Sequence, residues 1–154
     1  MTQFRAYYES PVGLVEVSGT ETAVQTLYFV DAPADDAISH PILDEAIRQL
    51  AQYFGKERRD FDLPLAPSGT PFQQSVWSEL LSIPYGRVLS YMDIANTLEK
   101  PKAVRAVGSA NGRNPISVII PCHRVIGSNS KLTGYGGGLW RKEWLLRHEG
   151  SLLV

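Results

Sequence analysis

The chain is poor in the residues that would build several kinds of site or anchor. It has one cysteine and three histidines in 154 residues. A lone thiol forms no internal disulfide, which suits a reducing, cytoplasmic setting and leaves one free sulfur to explain. With Cys122, His40, His123 and His148 as the only such ligands, a structural zinc site lacks donors; neither metal nor cofactor is expected. No apolar run approaches the roughly 20 residues that span a bilayer, so no membrane association is expected. The opening MTQFRAYYES has no long apolar stretch and does not read as a signal peptide. Net charge is scarce too, at −1, and by itself points to no partner.

What charge there is lies unevenly. Residues 1–80 hold 5 Lys/Arg and 12 Asp/Glu, a balance of −7, and residues 81–154 hold 10 and 4, a balance of +6. A basic half can face a polyanion while the acidic half stays in water; chance segregation is the alternative. Apolar residues make up 44%, ordinary for one domain or two small subdomains. There are no repeats and no low-complexity segments.

Three short β-branched and aromatic stretches open the chain, over residues 4–9, 13–18 and 24–30, with Ser10-Pro11 and Gly19-Thr20 as turns. They predict a small antiparallel sheet. Residues 31–40 read as a loop. Ile42, Ala46, Ile47, Leu50 and Phe54 recur at helical spacing over 42–54, stopped by Gly55. Residues 60–68 read as an extended linker.

From Thr70 the local signals sharpen. Thr70-Pro71-Phe72-Gln73 combines an N-cap, a proline at the first helical position and a capping-box glutamine, predicting a helix to about residue 82. Ser90 and Asp93 cap a second helix through Leu98, and a third runs from Ala103 to about Asn111 after Glu99-Lys100-Pro101. Two short helices joined by a tight turn form a helix-turn-helix. The second carries Lys102 and Arg105 among small residues, which admit either a neighbouring helix or a nucleic-acid groove. Residues 116–120 are an apolar run delivering Pro121-Cys122-His123-Arg124-Val125. Gly134-Tyr135-Gly136-Gly137-Gly138 is a loop, and residues 139–147 a final helix, with Gly150 as its stop.

Cysteine alone reads most simply as a small core residue. Beside His123 it also reads as a nucleophile, since only the thiolate attacks and a thiol near pKa 8.5 needs a base to form it. That base needs an orienting partner on its far nitrogen. A Cys-His pair is common to cysteine hydrolases, transferases and plain surface loops, so spacing leaves the choice open.

Pro121-Cys122-His123-Arg124-Val125 resembles the signature of the O6-alkylguanine-DNA alkyltransferase family. Ile83-Pro84-Tyr85-Gly86 with Ser90-Tyr91 resembles that family's lead into its helix-turn-helix, and Arg105-Ala106-Val107-Gly108 its recognition helix. Asn114-Pro115 is similar to its hinge. Gly137-Gly138-Leu139, Lys142-Glu143-Trp144-Leu145-Leu146 and His148-Glu149-Gly150 are similar to its C-terminal stretch. The resemblance covers residues 70–150 closely and 1–69 loosely.

The resemblance implies an α+β fold: a small antiparallel sheet with a helix in a variable, structural subdomain (1–69), then a mostly helical DNA-binding and catalytic subdomain (70–154) containing the helix-turn-helix. It implies DNA repair by a single, irreversible transfer of an alkyl group from O6-alkylguanine, with O4-alkylthymine as a further substrate class, onto Cys122. His123 would be the base, acting through a water, and Glu149 its orienter. Asn114 would tie the helix-turn-helix to the active-site loop, and Tyr91 would donate a proton towards the departing base. Val125, Tyr135 and Gly136 would line the pocket, with backbone carbonyls of Cys122 and Val125 accepting from the guanine amine. Arg105 would fill the gap left by the extruded nucleotide. Lys102, Ala103, Ser90 and Ala106 would meet double-stranded DNA in its minor groove, and the protein would act as a monomer. Two other readings compete: a non-catalytic lesion-binding or regulatory helix-turn-helix protein, which Cys122 argues against, and a cysteine hydrolase, for which no oxyanion-hole motif stands out.

Overall fold

A computed structural model describes residues 3–127, 132 and 134–151. The fold is α+β, and its backbone divides into two compact units, Met1–Ser68 and Gly69–Val154.

The first unit is a three-stranded antiparallel meander, β1 (Phe4–Ser10), β2 (Gly13–Gly19) and β3 (Val24–Phe29), with helix α1 (Pro41–Phe54) packed on it. Register sets Ala6 opposite Val17 and Val17 opposite Leu27, so one sheet face gathers the small and branched apolar residues. Leu43, Ala46, Leu50 and Tyr53 of α1 complete that core and are fully buried. The strands run one residue beyond the predicted ends in β1 and β2 and one short in β3.

The second unit is mostly helical. Helix α2 (Pro71–Leu80) begins with the predicted capping box, Thr70 Oγ1 accepting from Gln73 N and Gln73 Oε1 from Thr70 N. It ends two residues before the expected position, in turns leading to Ile83. A two-residue strand β4 (Leu89–Ser90) precedes α3 (Tyr91–Thr97), whose capping box is Ser90 with Asp93. The third helix, α4 (Val104–Gly112), lies within one residue of its predicted bounds and is preceded by a 3-10 turn, Pro101–Ala103, which Pro101 starts with its fixed φ. Trp77 Nε1 donates to the Ala110 carbonyl at 2.8 Å, locking α2 to α4.

Residues 116–120 form tight turns without becoming a strand, and Val118 has φ 69°, unusual for a β-branched residue. Cys122–Arg124 is a 3-10 turn followed by strand β5 (Val125–Ile126), which pairs in parallel with β4, Leu89 with Val125 and Ser90 with Ile126. Helix α5 (Leu139–His148) closes the chain. Among the described residues no helix is long and apolar enough to cross a membrane.

Candidate active site

The β4–β5 ladder decides which residues meet. Pairing Ser90 with Ile126 brings the start of α3, and with it Tyr91, beside the turn that carries Cys122. At the far end, α5 stops in a Schellman motif: Gly150 N donates to Arg147 O and Ser151 N to Leu146 O, with Gly150 at φ 80°. That motif fixes the backbone of Glu149, the capping residue, so its buried carboxylate reaches the Cys122–Arg124 turn.

There His123 Nε2 lies 2.8 Å from Glu149 Oε2. Arg124 forks onto the same carboxylate, Nε donating to Oε1 at 2.7 Å and Nη2 to Oε2 at 3.0 Å, while Nη1 donates to the Ile83 carbonyl at 2.7 Å. Burial alone would raise the pKa of Glu149, but His123 and the Arg124 guanidinium outweigh it and hold the carboxyl below the usual carboxylate range. A carboxylate only accepts, so Nε2 of a neutral His123 carries the proton and Nδ1 is left as the lone-pair nitrogen. Burial lowers the His123 pKa, which favours that neutral form. Nδ1 is buried and has no hydrogen-bond partner among the described residues. Glu149 thus orients the His123 ring and leaves Nδ1 with a lone pair that can accept a proton.

Cys122 is 4% exposed, and burial pushes its thiol up to about 11, with Asn114 and Lys142 pulling the other way. The resting sulfur is a sheltered thiol, so the expected activation must come with the reaction. Asn114 stands beside it as a clamp: its Oδ1 accepts from Ile116 N at 2.9 Å and its Nδ2 donates to Ile120 O at 2.8 Å. These two bonds hold the turns that contain Val118.

Tyr91 lies against α4, 3.9 Å from where a Cβ on Gly108 would stand, and Lys142 Nζ sits 5.9 Å from its ring centre. Tyr135 turns a buried hydroxyl inward, and burial followed by the neighbouring Cys122 raises its pKa well above the ordinary value. Val125 is fully buried, and a Cβ on Gly136 would approach the Gly112 carbonyl at 4.0 Å. The structure thus gathers Cys122, His123, Glu149, Asn114, Tyr91, Val125, Tyr135 and Gly136 in one neighbourhood.

The residues expected to meet DNA lie on the helix-turn-helix, with Ser90 next to Tyr91 at the start of α3. Lys102, Arg105 and Ala106 are exposed and Ala103 is half-buried. Ser90 spends its hydroxyl on capping α3.

Three residues were not singled out by the sequence. Arg124 holds Glu149, Lys142 is fully buried with its pKa pushed by burial down to about 8, and Asn111 donates from Nδ2 to the Cys122 carbonyl at 3.3 Å. For Arg124 and Lys142 a signal existed, since they stand within the Pro-Cys-His-Arg-Val and Lys-Glu-Trp-Leu-Leu runs; for Asn111 only the fold brings the partners together.

Residues 71–151 match the family described as the DNA-binding domain of 6-O-methylguanine DNA methyltransferase, and residues 4–67 match its ribonuclease-like domain. A protein of Methanosarcina acetivorans named methylated-DNA–protein-cysteine methyltransferase is 47% identical over 154 residues, covering 96% of this chain and 99% of that one. The crystal structure of Mycobacterium tuberculosis O6-methylguanine methyltransferase is similar with a TM-score of 0.88 at 42% identity, covering 97% of this chain and 94% of that one. A second structure, of Mycobacterium tuberculosis OGT in complex with DNA, has a TM-score of 0.88 at 44% identity and covers 96% and 93%.

Proposed function

The chain belongs to the 6-O-methylguanine DNA methyltransferase family, and from that premise we propose that it repairs DNA by moving the alkyl group of O6-alkylguanine onto Cys122. The observation that carries the assignment of residues is the buried relay of Glu149 and His123 beside the only thiol of the chain.

The lesion oxygen is buried in stacked DNA, so the nucleotide is extruded, at a cost on the order of a few kcal/mol. Arg105, exposed on α4, enters the stack and offsets part of that cost. Lys102, Ala103, Ser90 and Ala106 surround it on a duplex approached from the minor groove, which at ~6 Å wide suits small side chains.

The thiol proton passes through a water to His123 Nδ1, and the imidazolium so formed is stabilised by Glu149. The thiolate attacks the alkyl carbon; the S–C bond forms, the C–O6 bond breaks, and its electron pair moves onto the purine. Tyr91 supplies the proton the leaving base requires, and the Gly136 N–H donates to O6 as its charge grows. Tyr135 and Val125 wall the pocket. The product is a thioether, which thiols do not exchange, so each molecule acts once. Lacking any requirement for a second copy, the reaction proceeds on a monomer.

The test is stoichiometry. Incubation with duplex DNA bearing O6-methylguanine is expected to leave one methyl group per protein, located on Cys122 by mass spectrometry, and none on Cys122→Ala. Repeated turnover, or a methyl group on another residue, contradicts the reading. Tight binding of the lesion without transfer supports a lesion-binding protein instead.

A further inference from the structure

Gly108, Asn111 and Gly112 stand three and four residues apart and so share one face of α4. That face meets, in order, the groups assigned to the reaction. A Cβ on Gly108 would be 3.9 Å from Tyr91, Asn111 bonds the Cys122 carbonyl, and a Cβ on Gly136 would be 4.0 Å from the Gly112 carbonyl. Asn111 contributes the polar side chain of this row and is 1% exposed.

Its orientation follows from its partner. The Cys122 carbonyl only accepts, so the amide nitrogen of Asn111 faces it and Oδ1 points away. Oδ1 is buried and has no hydrogen-bond partner among the described residues. Buried amide oxygens are nearly always bonded. An acceptor left free beside the reactive cysteine is matched by a donor that arrives with the substrate.

We propose that Asn111 Oδ1 accepts from the exocyclic 2-amino group of the extruded O6-alkylguanine, beside the Cys122 carbonyl, and so makes the site select lesions that carry a donor on that edge. This inference rests on the alkyltransferase reading of the site. The amino group offers two N–H bonds: one meets the Cys122 carbonyl, and Asn111 Oδ1 takes the other in place of the Val125 carbonyl that the family resemblance implies. O4-alkylthymine has no donor on the corresponding edge and presents a carbonyl oxygen, acceptor against acceptor. A site that hydrogen-bonds a substrate group rejects analogues lacking it, because its own buried polar atom is then left unpaired. The purine lesion is therefore the substrate and the thymine lesion is disfavoured.

Single-turnover transfer to Cys122 is measured on duplexes bearing O6-methylguanine, O6-methylhypoxanthine (hydrogen in place of the amino group) and O4-methylthymine. The unaltered chain is compared with Asn111→Leu and Asn111→Ser. The unaltered chain is expected to prefer O6-methylguanine over O6-methylhypoxanthine by about tenfold, with O4-methylthymine slowest. Both variants also lose the bond to the Cys122 carbonyl, which slows both purine lesions, so the readout is the ratio of the two rates: it is expected to fall to about threefold or less, with far-UV circular dichroism showing the variants folded. An unchanged preference, or equal slowing on both purine lesions, overturns the role of Asn111. Absence of transfer to Cys122 from every duplex by the unaltered chain overturns the alkyltransferase reading instead.

Discussion

His123 and Glu149 are 26 residues apart in sequence and 2.8 Å apart in space, with both side chains fully buried. Arg124 binds the same carboxylate, so one buried anion orients the imidazole while its own charge is balanced by a guanidinium. A buried carboxylate without such a partner would be costly. Arg124 thus allows Glu149 to stay ionised, and an ionised Glu149 keeps the His123 proton on Nε2.

That relationship makes acid stability depend on Glu149. Its folded pKa is depressed, so its contribution is complete above the unfolded value near 4.5 and is lost as pH falls below that value towards the folded one. Glu149→Gln leaves Arg124 buried beside a neutral amide and is expected to destabilise the fold by about 3 kcal/mol at pH 7. It is also expected to flatten the loss of stability below pH 4.5. Urea unfolding at pH 7 and pH 4 checks both; an acid loss as steep in the variant as in the parent contradicts the assignment.

Cys122 gives a second pH dependence with the opposite sense. Burial raises its folded pKa from 9.0 to about 11. Its contribution is complete below pH 9 and falls away as pH rises from 9 to 11, by roughly 2.7 kcal/mol for two units. Lys142, depressed to about 8, works the other way between pH 8 and 10.5. The stability difference between the parent and Cys122→Ala isolates the cysteine and is expected to shrink over pH 9 to 11. Iodoacetamide labelling of the free protein is expected to be slow at pH 7 and to rise up to about pH 11. Rapid labelling at neutral pH would mean that the resting sulfur is already a thiolate.

Local signals carried the fold a long way. The Thr70–Gln73 and Ser90–Asp93 capping boxes stand as read, because each is closed within four residues. The three-stranded sheet was legible for the same reason: alternating apolar residues with turns between them. The β4–β5 ladder was not, since a parallel pair of two residues across 36 positions has no local pattern to betray it. The end of α3 was legible to within one residue, at Leu98, but the way it stops was not. Glu99 sits at φ 58°, in the place where glycine usually closes a helix, with Lys100 N bonded back to Ala95 O. Of the site, the residues within family motifs could be named, but the environment of Cys122 could not: that Asn111 and Lys142 are buried beside it depends on how α4 and α5 pack.

Asn114 is expected to matter for stability and for reaction together. Its side chain satisfies Ile116 N and Ile120 O at both ends of a segment that holds Val118 in a left-handed conformation. Asn114→Ala leaves two buried backbone groups unpaired and is expected to cost about 2–4 kcal/mol, from roughly 1–2 for each group. Asn114→Asp keeps the bond from Ile116 N and loses the one to Ile120 O, so a smaller loss is expected. Thermal unfolding ranks the two, and single-turnover methyl transfer to Cys122 should fall in the same order. A stable Asn114→Ala with unaltered transfer would remove the clamp from the account.

The exposed position of Arg105 separates binding to the duplex from chemistry at the sulfur. If it fills the space of the extruded nucleotide, its loss raises the cost of extrusion and leaves Cys122, His123 and Glu149 untouched. Arg105→Ala is then expected to slow transfer from duplex O6-methylguanine by about tenfold or more, since one unfilled gap costs on the order of 1–3 kcal/mol of stacking. With O6-methylguanine as the free base, where nothing is extruded, its rate should match the parent. Lys102→Ala, removing a charge without a stacking role, is expected to weaken duplex binding and lower the salt slope by about 1, without that contrast between substrates. Equal losses of Arg105→Ala on duplex and free base would place the arginine in the chemistry of the site and not in the stack.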